Sequence, residues 1–318
     1  MPAPRFDVTI AGELNLDLIL YGLPEELPLE RELLADQMML TLGASSAIVA
    51  HNLATLGSRV GFISCIGDDQ MGRDALSRLD AGGVDVSCMK RSSTVQTGMS
   101  VILQRKKRRT ILTYPGTIFS LTPAHLDLDY LCASRHFHLS SYYLQRGLRA
   151  GVPELFRKLK AAGLTISLDS NDDPDDQWDG SIREVLPYVD VFLPNEREAK
   201  CIAGTDDIER AIETLSWSVP LVVVKRGAAG ATARRGKETH HCPAIRLDVV
   251  DAVGAGDSFD AGFLHEFVRG SSLAECLKAG NLAGALSTTR PGGTEAFRDR
   301  EHRERFMREH AGQTHVGR

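Results

Sequence analysis

The segment DAVGAGDSFDAGFL, residues 251–264, places a glycine-rich turn directly before a helix. Apolar residues recur at helical spacing from Phe259 to Val268, and Asp260 falls on another face, so the pattern predicts an amphipathic helix. The start of that helix leaves unpaired backbone N–H groups and the positive end of its dipole at Gly254–Asp257. The small side chains there let an anion approach the backbone closely.

Two interpretations of this turn differ in the ligand that it binds. Gly254 and Gly256 are spaced as in a dinucleotide-binding G-x-G-x-x-G loop, but position 259 is Phe, and Asp257 would set a carboxylate against a pyrophosphate. If the turn amides instead stabilise charge on a phosphoryl group in transfer, Asp257 can take the proton of the attacking hydroxyl. An ordinary helix N-cap is the alternative role for Asp257. The residues therefore predict an anion hole with a general base beside it.

Composition limits the class of protein. The chain has 318 residues, of which 42% are hydrophobic and 25% charged, with a formal net charge of -5. This predicts a globular protein and gives no reason to expect a nucleic-acid partner. The six cysteines lack a C-x-x-C pair, which favours reduced, buried thiols over disulfides or a metal site. No leader-like apolar stretch follows the N-terminus, so we expect a cytoplasmic protein without a membrane partner.

Short, continuously apolar runs alternate with helical segments along the chain. Continuous apolarity is typical of parallel strands buried on both faces, so we predict an α/β fold with a doubly wound, mainly parallel sheet flanked by helices. We expect residues 1–318 to form one domain. The predicted strands are 6–12, 60–67, 137–141, 164–169, 189–194 and 221–225, and the helices between them include 45–57, 70–82, 148–162 and 206–217.

Two segments, 13–40 and 98–114, interrupt this alternation. The first is polar and contains proline, and the second is typical of two strands around a basic turn, so we predict that they form a small β-sheet lid. An exposed sheet edge invites pairing, which makes the lid the candidate contact surface of a homodimer. The basic run Arg105–Arg109 is most simply a solvated hairpin tip, although one of its arginines could instead close over an acidic substrate.

Polar residues follow several of the predicted strands. Because ligands of open parallel sheets bind beyond the carboxyl ends of the strands, these side chains mark a candidate site. They are Asn15 and Asp17 after the first strand, Asp169 and Asn171 after the fourth, Asn195 and Glu198 after the fifth, and Lys225 to Gly227 after the sixth. One edge of the sheet is therefore expected to collect most of the polar side chains.

The turn sequence DAVGAGD resembles the D-[TA]-x-G-A-G-D signature of the ribokinase-like, or PfkB-type, carbohydrate kinases. The resemblance extends over nearly the whole chain and includes AGELNLDLI near the start, LGASSAIVAHNLATLG (42–57), NEREA (195–199), VKRGAAGA (224–231) and NLAGALSTTRPGGT (281–294). It implies a ribokinase-like fold with a β lid. It also implies ATP as the phosphoryl donor and a sugar or similar alcohol as the acceptor, phosphorylated at a hydroxymethyl group.

The resemblance implies a role for each matching position near the nucleotide and the metal ions. Asp257 is similar to the catalytic base, with an anion hole formed by the amides of Gly254, Ala255 and Gly256. Mg²⁺ is implied at Asn195 and Glu198, largely through water, and a monovalent cation, K⁺, at Asp251 with main-chain oxygens near Val253 and from Gly292 to Thr294. The nucleotide is implied at Lys225, Gly227 and Gly230, with adenine near Asn281.

The acceptor side follows the family pattern less closely. Asp17 corresponds to the acid that accepts hydrogen bonds from substrate hydroxyls, and Gly43 to the first glycine of a G-G element beneath the sugar. Ala44 replaces the second glycine, and Ile48 replaces an asparagine of ribokinases and many fructokinases. The loss of that polar contact leaves a sugar, a sugar acid or a nucleoside open as the acceptor. A non-catalytic sugar- or nucleotide-sensing module is the remaining alternative.

Overall fold

The computed structural model describes residues 4–105, 108–310 and 312. Within these ranges the strands are β1 (Val8–Ala11), β2 (Leu16–Tyr21), β3 (Gln37–Leu42), β4 (Val60–Ile63), β5 (Cys65–Gly67), β6 (Lys90–Ser92), β7 (Met99–Arg105), β8 (Arg108–Tyr114), β9 (His136–Leu139), β10 (Thr165–Leu168), β11 (Val191–Phe192), β12 (Leu221–Lys225), β13 (Ala231–Arg235) and β14 (Glu238–Cys242). They form sheets of eight, four and two strands.

Helices cover both faces of the largest sheet. They are α1 (Ser45–Thr55), α2 (Gln70–Ala81), α3 (Leu128–Cys132), α4 (Arg146–Arg149), α5 (Val152–Ala161), α6 (Ile182–Val185), α7 (Glu196–Ala203), α8 (Ile208–Leu215), α9 (Ala255–Phe267), α10 (Leu273–Ser287), α11 (Glu295–Arg298) and α12 (Arg300–His310). Short 3₁₀ helices lie at Gly116–Phe119, Pro123–His125, Leu186–Tyr188 and Gly227–Ala229. None of the helices in the described part of the chain is long and apolar enough to cross a membrane.

The eight-stranded sheet has the order β14-β13-β12-β11-β10-β9-β1-β4. The six strands from β12 to β4 are parallel, and β13 and β14 add an antiparallel hairpin at one edge. Separate hydrophobic cores fill its two faces, one around Phe137 and Phe156 and the other around Phe62 and Phe263. The predicted doubly wound, mainly parallel sheet flanked by helices is confirmed.

The predicted strand 60–67 is wrong in its extent. The chain leaves the large sheet after Ile63, and Cys65–Gly67 pairs with Lys90–Ser92 in the two-stranded sheet. The run is continuously buried because β5 lies in the interior, although its partner β6 is partly exposed, so apolarity alone does not reveal the change of sheet. The predicted strand 189–194 likewise shortens to Val191–Phe192.

The smaller four-stranded sheet, which we call the lid sheet, has the order β3-β2-β7-β8. Its strands come from both segments that interrupt the alternation, and β2 and β7 are parallel, whereas the outer pairs are antiparallel. Because side chains alternate across a strand, Asp17, Ile19 and Tyr21 share its inner face. Residues 106 and 107 of the predicted basic turn lie outside the described residues.

Helix α9 is not amphipathic, which corrects the prediction from its sequence. Every residue from Asp257 to His265 is buried, including Asp260. The helix packs against α10 and α1 as well as the sheet, so it has no solvent-facing side over this stretch. A side chain at Gly262 would collide with the main chain of Ala279, which shows how closely α9 and α10 approach. Asp260 therefore requires a buried partner.

Candidate active site

The turn before α9 begins the helix where its sequence predicts. Gly254 has φ +71, which favours glycine, and caps a helix that starts at Ala255. The Ala255 N–H donates to the carbonyl oxygen of Ala252 at 3.3 Å. Within the described residues, no acceptor lies on the N–H groups of Gly254, Gly256 or Asp257. These three amides are therefore free to bind an anion at the positive end of the helix dipole.

Asp257 lies in the first turn of α9 and is buried. Burial and the nearby charge of Asp169 together raise the pKa of its carboxyl to about 6, against the opposing effects of Lys225 and of a hydrogen bond with Ser45. A carboxyl group with this pKa is deprotonated near neutral pH but retains basicity, which suits a general base.

Lys225 extends its side chain into this cluster. Its Nζ lies 2.6 Å from Oδ2 of Asp169 and 3.0 Å from Oδ2 of Asp260. A Cβ added to Gly256 would be 3.6 Å from the same nitrogen, so the ammonium lies beside the free amides of the turn. Burial opposes the charge of Lys225, yet the carboxylates raise its pKa above the usual value. Lys225, predicted from the sequence as a nucleotide-loop residue, thus links the turn to the end of β10.

Asp260 is a buried member of the site that the sequence prediction missed. Burial raises its pKa well above the usual value, whereas Lys225 lowers the pKa of Asp169 despite burial. The available signal was its spacing, because residues i and i+3 lie on the same side of a helix and Asp260 is three positions after Asp257. The same position on the helix brings Asp260 to the Lys225 ammonium, which it shares with Asp169.

Asp17 and Asn15 lie together at the start of β2. Asn15 Nδ2 donates to Asp17 Oδ1 at 3.2 Å. Burial raises the pKa of Asp17 to about 7, and the charge of Asp257 contributes to the shift. A side chain at Gly43 would collide with the Asp17 carboxylate, so glycine leaves the space that this carboxylate occupies. The structure thus brings Asp17 and Asp257 into electrostatic contact.

The departures at Ala44 and Ile48 have different structural consequences. Ala44 adopts φ 68 and ψ 128 immediately before α1, a backbone conformation that favours glycine. Ile48 is buried, and its Cδ1 would lie 3.3 Å from a Cβ on Gly254 and 2.7 Å from one on Gly293. The isoleucine therefore supports the turn before α9 by packing against the glycines.

Asn171 connects the end of β10 to α1. Its Oδ1 accepts a hydrogen bond from the Ser141 N–H at 2.7 Å, and its Nδ2 donates to Ser45 Oγ at 3.0 Å. Ser45 in turn hydrogen-bonds Asp257 and lowers the pKa of that carboxyl. The Asn171 N–H also donates to Asp169 Oδ1 at 3.2 Å. Two of the acceptor-site residues predicted from strand ends are thereby connected to the proposed base.

Glu13 is a second buried carboxyl that the sequence prediction missed. It accepts hydrogen bonds from the N–H and hydroxyl of Ser46, from the Ser141 hydroxyl and from the Gln145 amide. Burial raises its pKa despite these donors. Its position just after β1, at the edge that carries Asn15, was the signal that could have identified it.

Asn195 and Glu198 form a reciprocal capping box at the start of α7. Oε2 of Glu198 accepts from the Asn195 N–H at 2.8 Å, and Oδ1 of Asn195 accepts from the Glu198 N–H at 3.0 Å. Burial and the charge of Asp169 raise the pKa of Glu198 to about 8. Across the described ranges, no group of three or more His, Cys, Asp or Glu residues is arranged to hold a metal ion directly.

Asp251 connects three separate segments of the chain. Its Oδ1 accepts from the Val253 N–H at 3.0 Å, and its Oδ2 accepts from the Gly292 N–H at 3.0 Å and the Tyr21 hydroxyl at 2.7 Å. No hydrogen bond from any described residue reaches the carbonyl oxygens of Val253 or Gly292. The Thr294 hydroxyl lies 3.5 Å from that of Thr41 in the lid sheet.

The remaining nucleotide-site predictions fall around the loop after β12 and the end of β14. Gly227 opens the 3₁₀ turn after β12, and Gly230 has φ +87 with no room for a side chain against Cys242. Asn281 Nδ2 donates to the carbonyl oxygens of Cys242 and Pro243 at 2.9 and 3.0 Å. Asn281 thus fixes the loop that follows β14.

Comparisons with known proteins agree with this fold. Residues 6–300 match the model of the pfkB family carbohydrate kinases. The chain is 30% identical to 2-dehydro-3-deoxygluconokinase of Bacillus subtilis over 84% of its own length and 86% of that protein. It is also 30% identical to cytidine kinase of Thermococcus kodakarensis over 86% of its length and 93% of that protein. The crystal structure of ribokinase from Thermotoga maritima superposes with a TM-score of 0.80 at 24% identity, over 95% of this chain and 99% of that one.

The family match covers most of the chain, and the ribokinase structure shares its fold. The chain belongs to the PfkB family of carbohydrate kinases. It is an ATP-dependent phosphotransferase of the sugar-kinase type, and its relatives act on different alcohols.

Proposed function

We propose that Asp257 is the general base of this kinase and that the amides of Gly254, Gly256 and Asp257 form the anion hole. The Ala255 amide, which the sequence also assigned to it, is instead bonded to the carbonyl oxygen of Ala252. The observation that carries the proposal is a buried carboxyl beside three unpaired helix amides and the Lys225 ammonium. Asp257 accepts the proton of the acceptor hydroxyl. At the same time the hydroxyl oxygen bonds to the γ-phosphorus of ATP, and the bond between that phosphorus and the ADP oxygen breaks. The amides and Lys225 stabilise negative charge on the transferring phosphoryl group.

A neutral sugar is the acceptor that the charges favour. Asp17 and Asp257 place two carboxyl groups on this side of the site, and Lys225 is already paired with Asp169 and Asp260. A carboxylate accepts hydrogen bonds from adjacent hydroxyls but repels an acid. We therefore assign the hydroxyl contacts of the acceptor to the following positions, with Ile48 supporting the turn: Asn15, Asp17, Gly43, Ala44, Asp169 and Asn171.

A sugar acid finds less support. Arg105 donates to the Glu25 carbonyl oxygen and to the Thr110 hydroxyl. Arg109 on β8 lies opposite Gln104 on β7, and Ser100 on β7 lies opposite Asp17. Gln104 and Ser100 are four residues apart, which corresponds to about 13 Å along the strand. The Bacillus subtilis 2-dehydro-3-deoxygluconokinase and the Thermococcus cytidine kinase are each 30% identical to this chain, so the relatives keep both a sugar acid and a nucleoside as further candidates.

We infer that Mg²⁺ is held mainly through water by Glu198 and Asn195. Both Glu198 oxygens accept hydrogen bonds from Asn195, so neither is presented as an open direct ligand. The raised pKa of Glu198 nonetheless indicates that positive charge would be stabilised there. A bound magnesium ion would neutralise phosphate charge, and its reluctance to lose water suits such outer contacts.

We infer that a monovalent cation, K⁺, is held near Asp251. The donor set fits, because Val253 and Gly292 donate their N–H groups to the Asp251 carboxylate, while their carbonyl oxygens accept no hydrogen bond from the described residues. Thr294 would complete the site with a further oxygen. In this role the cation adds positive charge behind the anion hole.

The outer face of the lid sheet supports a homodimer within this proposal. Met38, Leu112 and Tyr114 are exposed there, and an apolar groove of about 740 Å³ runs between this face and Met71 of α2. A second copy packed on this face would bury side chains that are costly to expose. Leu112→Glu should then reduce the mass of the particle in sedimentation. We further propose one domain over 1–318 and a cytoplasmic location, which suits six free thiols.

Asp257→Asn tests the function. Because the amide cannot accept the proton, turnover should fall by about 10² to 10⁴-fold, while ATP still binds. ADP release should be measured over a panel of neutral sugars, sugar acids and nucleosides, with K⁺ and Na⁺ compared. Near-normal turnover of the variant would reject Asp257 as the base, and wild-type activity confined to nucleosides would reject the sugar assignment. Ligand binding without ADP release across the panel would favour a sensing module.

A further inference from the structure

The inner face of lid strand β2 carries two polar side chains with different contacts. Asp17 is next to Asn15 in the acceptor site, and Tyr21 is four residues further along on the same face. The Tyr21 hydroxyl donates to Oδ2 of Asp251 at 2.7 Å. One strand of the lid sheet therefore contacts both the acceptor site and the segment that leads into the anion hole.

Asp251 transmits this contact to the catalytic turn. Its carboxylate accepts from the N–H of Val253, the residue before Gly254, and from the N–H of Gly292. Asp251 is only 3% exposed, so hydrogen bonds to its charge are poorly replaced by water. The Tyr21 hydroxyl supplies the third donor, and it is the donor that comes from the lid sheet.

Further lid contacts lie beside the part of β2 that precedes Tyr21. Ile19 and Ile102 pack against Val253, which joins the same turn to the lid sheet through apolar surface. On β3, Thr41 lies directly across from Asp17 and donates to Oε1 of Glu295 at 2.8 Å. The position of Asp17 is thus set by a sheet that is attached to the turns before α9 and α11.

We propose that Tyr21 is a positioning residue that couples the seating of the lid sheet to the order of the anion-hole turn. The inference rests on the proposed roles of Asp17 and Asp257. When the Tyr21 hydroxyl lies on Asp251, acceptor-binding Asp17 and the free amides of Gly254, Gly256 and Asp257 are held in one arrangement. When that contact is absent, the lid sheet keeps its apolar contact with Val253 but loses its polar link to the turn.

Tyr21→Phe tests the coupling because it removes the hydroxyl and keeps the ring. We expect kcat/KM for the acceptor to fall about 10-fold, as for the loss of one hydrogen bond to a buried charge. Amide hydrogen exchange of β2, measured without ligands, should accelerate by a similar factor. Tyr188→Phe is the matched control. Tyr188 lies before the N-terminal end of β11, whereas the site lies beyond the C-terminal ends of the parallel strands, so neither quantity should change. Unchanged exchange in Tyr21→Phe would overturn the proposal.

A double-mutant cycle with Asp251→Asn separates coupling from a merely structural role. If Tyr21 acts through Asp251, adding Tyr21→Phe to that variant should change kcat/KM less than about 2-fold. An equal loss in both backgrounds would show that Tyr21 acts independently of Asp251. The exchange measurement needs no turnover, so it reports on the contact even where Asp257→Asn shows that the catalytic assignment is wrong.

Discussion

The catalytic edge of the large sheet and the strands beneath it hold buried polar groups in opposite ways. Burial together with like charge raises the pKa values of Asp257 and Glu198 at this edge to about 6 and 8, and that of Asp17 on the lid sheet to about 7. Beneath them, burial lowers the pKa values of His136 and His138 on β9 to about 3. The carboxyl groups resist ionisation because they are buried close to like charges, whereas the two imidazoles stay neutral over the physiological range.

The two histidines belong to a continuous chain of hydrogen bonds, the histidine column, formed by Thr165, His136, Ser167, His138 and Ser140. Each of its four ring nitrogen contacts is 2.7 Å long. The Thr165 hydroxyl donates to the Arg135 carbonyl oxygen, which can only accept, so Thr165 must accept from His136 Nδ1. The same logic along the column places the proton of both rings on Nδ1.

The difference between the two regions shows what full hydrogen bonding achieves. Every imidazole nitrogen of the column has a partner, so burial carries no uncompensated cost and no charge is needed. At the edge, several carboxyls share the Lys225 ammonium, and the unequal compensation moves their pKa values into the range useful for proton transfer. The edge therefore gives up stability for reactivity, whereas the column beneath it supports the sheet.

Lys225→Met should produce the largest effect, because it leaves Asp169 and Asp260 buried without their cation. Breaking a buried ion pair on one side costs about 3–5 kcal/mol of unfolding free energy. The pKa of Asp257 should also rise, since Lys225 lowers it. Urea unfolding measures the first effect and the acid limb of kcat the second.

Lys158→Met is the control for this substitution. Lys158 forms a surface pair with Glu154, and both side chains are about half exposed. Exposed pairs of this kind contribute little, so the variant should unfold like the wild type. Equal unfolding free energies of Lys225→Met and Lys158→Met would show that the buried carboxylates do not depend on the Lys225 ammonium.

His138→Leu breaks the column and should cost about 1–3 kcal/mol, because the Ser167 and Ser140 hydroxyls each lose a buried partner. The kcat/KM should change far less than the stability, since the column lies beneath the edge. Urea unfolding and ADP release measured on the same preparation separate the two. A loss of turnover as large as that of Asp257→Asn, with the stability retained, would contradict the supporting role.

The pH dependence should carry opposite signs in the two regions. The raised pKa of Asp257 means that its contribution to stability is full below pH 3.8 and is lost as pH rises through about 6. The lowered pKa values of the histidines mean that the unfolded chain takes up their protons first, so stability is lost as pH falls from about 6.5 towards 3.

Catalysis reports only on the edge. The kcat/KM should fall about 10-fold per pH unit below about 6, as Asp257 becomes protonated. The imidazole NMR signals of His136 and His138 should show neutral rings down to pH 5. A flat rate profile between pH 5 and 8, or charged imidazoles at pH 6, would remove the distinction between the two regions.

Local patterns in the sequence account for the sheet and the catalytic turn. The apolar runs that predicted parallel strands include Leu221–Lys225, which is a strand over the whole predicted range. The small residues before α9 predicted a helix start with free amides, and the amides of Gly256 and Asp257 have this character. Both features depend on neighbours within a few residues, which is the information that periodicity and spacing contain.

Contacts between distant segments were not predictable in the same way. Tyr21 and Asp251 are separated by 230 positions, and Glu13 and Gln145 by 132. Nothing in the pattern around Tyr21 distinguishes it from an ordinary strand residue, because its partner is set by how the lid sheet lies on the turn. The burial of Asp260 was missed for the same reason, since α10 and α1 cover the face of α9 that the apolar pattern left to solvent.

The smallest effect is expected at Ala44, where the catalytic edge stores strain in the backbone. A positive φ costs a residue with a Cβ about 1–3 kcal/mol, and glycine removes that cost at an entropic penalty of about 0.4–1 kcal/mol. Ala44→Gly should therefore stabilise the protein by about 1 kcal/mol in thermal unfolding. Ala161→Gly, at the end of α5, is the control and should destabilise by about 0.5–1 kcal/mol. If both variants lower Tm equally, Ala44 is unstrained. If Ala44→Gly raises Tm but slows turnover, the strain helps to hold Ser45 against Asp257.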